Sequence, residues 1–162
     1  MGLRAILVVL GVTFAASADP PPVKPGQVFA HAFAKKDGKA AQKVLSKTWK
    51  YGLDGRDQAP TAPVDKFLSG LFKTLTKATF TEVVAEASDC TQAGRELGFI
   101  AGQLESNSSL ADWVRGIPAA YCGEGEPPTF WIVKRLDLEQ PHAAIIVESG
   151  GEYPEVVGFY HF

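Results

Sequence analysis

The chain has 162 residues, 46% of them hydrophobic and 21% charged, with a formal net charge of −2. That length and composition suit one globular domain with a real core. Charges of both signs are scattered with no basic block to neutralise phosphates, which excludes nucleic acid as the principal partner.

The N-terminus reads as a targeting signal. Arg4 supplies a minimal positive region, Ala5 to Ala16 is an apolar run too short to span a bilayer, and Ala16-Ser17-Ala18 forms a small-x-small cleavage site before Asp19. The pattern predicts a signal peptide cleaved after Ala18, with an uncleaved anchor as the rival reading. The chain is therefore expected to be secreted or periplasmic, with no membrane span after signal cleavage. Asp19 to Gly26, with four prolines, reads as a tether.

From Gln27 the pattern turns helical. Val28, Phe29, Ala32 and Phe33 share one side, while His31, Lys35 and Lys36 fall on the other. Asp37-Gly38 interrupts this helix, and a second is expected from Lys39 to about Ser46. Thr48 to Leu53 reads as a short strand carrying Trp49 and Tyr51, closed by the turn-rich Asp54-Gly55-Arg56-Asp57. The clearest helix begins near Pro63, where Val64, Phe67, Leu68, Leu71, Phe72 and Leu75 form a full apolar stripe. Thr79 to Ala87 is β-branched enough for a strand.

Residues 89–128 read as a helical insertion. Leu97, Ile100, Ala101 and Leu104 have helical spacing, and Gly94, Gly98 and Gly102 recur every four residues on one side. Close packing of these glycines on the chain's own sheet is the favoured reading, and a helix contact with a partner is the sharper one. Ser109 with Asp112 resembles a capping arrangement for a short helix, Leu110 to Gly116. Asn107-Ser108-Ser109 is a formal glycosylation sequon, or else a polar loop.

The last third carries three successive strands, Thr129–Leu138, His142–Ser149 and Glu155–Phe162, in which Val, Ile, Phe, Trp and Tyr dominate and Gly and Pro mark the breaks. The predicted architecture is α+β, with N-terminal helices packed on a curved antiparallel sheet and a helical insertion between strands.

Cys90 and Cys122 bracket the insertion. An exported chain with two cysteines is most simply read as having one disulfide between them, against the alternative of a reactive thiol paired with one of the three histidines.

This order of elements, from the helices broken at Asp37-Gly38 through the Trp49 and Tyr51 strand and the Val64–Leu75 helix to the closing Val156-Val157-Gly158-Phe159-Tyr160-His161-Phe162, resembles the NTF2-like superfamily with its polyketide-cyclase-like members. The resemblance covers most of residues 27–162, and residues 89–128 depart from it by standing where the family has a short connection. It implies a cone-like fold whose curved sheet wraps helices around an apolar cavity, with pairing of two copies into a homodimer through the sheet. The extra segment would cap or close the cavity mouth.

Enzymes of that family use acidic, tyrosine or histidine side chains inside the cone, but no residue here matches a catalytic signature. His161 shares a strand face with Phe159 and Val157, which makes it the weak candidate for a general base. Trp49, Tyr51, Phe159 and His161 are the candidate cavity-lining residues. His31 and His142 are expected at the surface. The histidines are too far apart in sequence for a ligand set, so no metal is expected, and no phosphate loop or other cofactor motif is present. A non-enzymatic binding or interaction module, taking a small apolar molecule or a protein partner in the cavity or on the sheet surface, is the favoured function. A small-molecule lyase, isomerase or hydrolase acting in the cavity is the alternative.

Overall fold

The computed structural model describes residues 23–58, 63–75, 83–104, 106–135 and 142–162. The predicted signal segment and the start of the predicted strand at Thr79 fall outside them.

The chain is α+β. Six strands form one curved, unclosed sheet in the order β2-β1-β6-β5-β4-β3. They are β1 (Leu45–Leu53), β2 (Arg56–Gln58), β3 (Val83–Ala87), β4 (Thr129–Arg135), β5 (His142–Glu148) and β6 (Val156–His161). The three C-terminal strands stand side by side as the composition predicts, with β5 buried at the centre. All pairs are antiparallel except β1 with β6. That pair is parallel because the chain enters at β1, leaves through the helices and outer strands, and returns to β1 only at its end.

Helices α1 (Pro25–Ala34), α2 (Gly38–Gln42) and α3 (Val64–Leu75) cover one face. Pro25 opens α1, so the last two residues assigned to the tether belong to the helix, where a missing N–H costs nothing. Asp37 accepts the Ala40 backbone N–H at 3.0 Å and caps α2. The predicted second helix ends early: β-branched Val44 follows the last helical turn and β1 starts at Leu45. Gly38 fixes the approach of α2 to α3, since a Cβ there would stand 2.7 Å from the Asp65 carbonyl oxygen and 2.4 Å from Ser69 Oγ.

Between β3 and β4 lie α4 (Cys90–Gly102), α5 (Ser108–Gly116) and the 3-10 turn at Pro118–Ala120. Leu97, Ile100, Ala101, Ala111 and Val114 pack on Phe130, Ile132, Ile145, Val147 and Tyr160, which is the sheet face opposite α1–α3. The insertion therefore lies behind the sheet and does not cap the ring-lined face. Its glycines also differ from expectation: a Cβ at Gly94, Gly98 or Gly102 would meet nothing within 4 Å, so they do not pack on the sheet. The cap of α5 is Asn107, whose Oδ1 accepts the Leu110 N–H at 3.1 Å, in place of the Ser109 arrangement. Cys90 and Cys122 stand at bonding distance, with Cα atoms 5.9 Å apart, and tie the first turn of α4 to the segment beyond Ala120.

Candidate functional site

Strand alternation brings Trp49, Tyr51, Phe159 and His161 onto the face beneath α1–α3, as their spacing predicts. There their side chains are buried under the helices. Phe159 lies 5.3 Å from Phe29, 5.4 Å from Phe33 and 6.0 Å from Phe72, and stacks on Tyr51 at 6.3 Å with an interplanar angle of 9°. Phe33 and Phe72 meet edge to face at 5.1 Å. Such centroid separations are those of packed aromatic pairs, so these rings pack on one another between the helices and the sheet. His161 is only 7% exposed, with its ring 6.4 Å from that of Phe33. Burial, with the Asp54 carboxylate as the second cause, pushes the Tyr51 phenol up to about 12. His31 is exposed as expected, whereas His142 is half-buried.

The other face holds a polar constellation that the sequence reading passed over. Tyr121, after the 3-10 turn, and Tyr160, on β6, share a hydrogen bond between hydroxyls 2.6 Å apart. The Trp113 indole Nε1–H donates to Asp57 Oδ1 at 3.1 Å. Burial raises the pKa of Tyr121 well above, and that of Tyr160 above, the ordinary phenol; the Asp57 carboxylate adds to both, while the shared hydrogen bond raises Tyr121 further and offsets part of the rise at Tyr160. Both hydroxyls therefore stay protonated at neutral pH. Lys50 sets its ammonium 5.3 Å over the Tyr121 ring. Gly52 makes the packing of β1 under this cluster attainable, because a Cβ there would come within 2.6 Å of both Trp113 and Tyr160.

A pocket of about 180 Å³ opens at this corner, lined by Asp57, Trp113, Gly116, Ile117, Ala120 and Tyr160. The available signal was weak. Tyr160 alternates with Phe159 and His161 and so had to face the opposite layer, but Asp57 and Trp113 are 56 residues apart and no local pattern links them.

A wider groove of about 540 Å³ runs along the outer side of α1, past His31, Lys35 and Asp37. Among the described residues no group of three or more His, Cys, Asp or Glu is placed to hold a metal ion, and no helix is long and apolar enough to cross a membrane. Compared with protein-family models, curated proteins and solved structures, the chain matches none.

Proposed function

We propose that the chain is an exported, non-enzymatic binding module of the NTF2-like kind that meets its ligand at the surface, at the pocket between Asp57, Trp113 and Tyr160. The observation that carries this reading is the ring cluster: Phe29, Phe33, Phe72 and Phe159 occupy the space in which a cone-type enzyme would hold its substrate. His161, the weak catalytic candidate, lies under Phe33 within that packing. The tyrosines with shifted pKa values are all displaced upward, away from neutrality, which makes them lasting donors and poor bases at physiological pH.

Export is supported by the apolar run ending in Ala16-Ser17-Ala18 and by the two cysteines standing at bonding distance. The NTF2-like assignment is supported by two helices before β1, a long apolar helix before β3, and a closing three-stranded antiparallel run. Pairing of two copies through a sheet face would have to work around helices on both faces, and sedimentation velocity tests it.

Titration with 1-anilinonaphthalene-8-sulfonate tests the filled interior. No saturable, blue-shifted emission is expected from the native chain. Stoichiometric uptake, displaced by small apolar compounds, would return the interior cavity and with it the enzymatic alternative.

A further inference from the structure

The pocket at Asp57, Trp113 and Tyr160 combines three features that select one class of ligand. Its acidic group is the Asp57 carboxylate, one oxygen of which accepts the Trp113 indole N–H while the other is not committed to that bond. Among the described residues the ion pairs are Lys24 with Glu86 and Arg115 with Asp112, and neither engages Asp57. Its walls include the aromatic side chains of Trp113 and Tyr160, which meet edge to face at 5.6 Å, the latter held as a neutral phenol, and aromatic rings attract a cation. Gly116 and Ile117 bring the C-terminal end of α5 to its rim, the negative pole of that helix. A carboxylate, aromatic walls and a helix C-terminus all favour positive charge and disfavour an anion.

Size narrows the class further. The volume of about 180 Å³ lies below the range of roughly 300–1,000 Å³ usual for drug-sized ligands, so the occupant is compact. Ile117 and Ala120 give it an apolar wall suited to alkyl groups. The neighbouring ring of Tyr121 already carries an ammonium, that of Lys50.

We infer that this pocket is a binding site for a small organic ammonium ion, an amine bearing short alkyl groups. The inference rests on the surface-binding reading above and gives it a ligand class.

The probe is tetramethylammonium chloride, followed by two-dimensional proton–nitrogen NMR of the three tryptophan indoles, with sodium chloride holding ionic strength constant. The Trp113 signal, identified by its loss in Trp113→Phe, is expected to move saturably. The Trp131 signal, which belongs to the other sheet face, is expected to stay. The neutral tert-butanol, of similar shape, should leave Trp113 unmoved. Asp57→Asn retains an acceptor for the indole N–H and should weaken binding about tenfold, the effect of losing one favourable charge contact. An unmoved Trp113 signal, an equal response to tert-butanol, or full affinity in Asp57→Asn would each overturn the inference. The comparison of the two probes on the native chain stands even if a variant fails to fold. Failure here with the interior still refusing dye removes the ammonium and leaves the surface reading in place; uptake of dye removes that reading itself.

Discussion

The Glu148 carboxylate, at the end of β5, accepts the backbone N–H of Gly26 in the first turn of α1 at 2.6 Å. The same oxygen accepts the Trp131 indole N–H at 3.1 Å. Lys24 adds an outer layer, pairing with Glu86 and standing 5.4 Å over the Trp131 ring. A buried carboxylate is costly unless its hydrogen bonds are made, and here it also sits at the positive end of a helix.

Glu148→Ala should therefore destabilise the fold by about 2–4 kcal/mol, because it strands two buried donors at once. Glu148→Gln keeps an acceptor and should cost less than half of that. Urea unfolding of the three proteins checks the order, and an alanine variant as stable as the native chain would show that the Gly26 contact does not hold α1.

Alkaline pH should separate the tyrosines. For Tyr51, Tyr121 and Tyr160 the folded pKa lies above the ordinary value of 10, so the stability each contributes is fully present below pH 10 and is lost as pH rises beyond it, up to about 12 for Tyr51. Phenolate absorbance of three of the four tyrosines should lag and then rise together with loss of near-ultraviolet dichroism. Smooth ionisation of all four near pH 10 with the fold intact would contradict the burial of the Tyr121–Tyr160 pair.

Much of the sheet was legible because its cause is local. β-branched and aromatic runs broken by Gly and Pro mark β4 to β6 within a few residues, and period-two alternation places Phe159 with His161 and leaves Tyr160 for the other layer. What alternation does not carry is the length and packing of a distant segment. Nothing in Cys90 to Ala120 says which sheet face it covers, and whether a cone is empty depends on how far Phe29, Phe33 and Phe72 reach from helices more than eighty residues away from Phe159 in sequence. Glu148 was hidden for a related reason. It closes an apolar run as a solvated strand end would, and what distinguishes it is its contacts with Trp131 on the neighbouring strand and with Gly26, 122 residues earlier.

The Cys90–Cys122 pair should contribute stability through the loop it closes. With a sequence separation of 32, loop entropy gives about 3–4 kcal/mol, or roughly 10 °C in midpoint for a chain of this size. The expected comparison is native chain against Cys90→Ser/Cys122→Ser by thermal unfolding, with hydrogen exchange in α4 and α5 rising most. Equal midpoints, or two titratable thiols in the native protein, would show that the crosslink does not hold these ends together.

Gly98 tests the outer side of α4. The helix buries Leu97, Ile100 and Ala101 inward, and its glycines at 94, 98 and 102 have nothing within 4 Å of where a Cβ would stand. Glycine in a helix interior costs roughly 0.5–1 kcal/mol relative to alanine, mostly through the freedom of the unfolded chain. Gly98→Ala should accordingly raise stability by about that amount, with no change in sedimentation. A destabilised Gly98→Ala chain, or a native protein whose midpoint climbs with concentration while the variant's does not, would mean that another surface presses on these glycines in solution, and α4 would then be an interface.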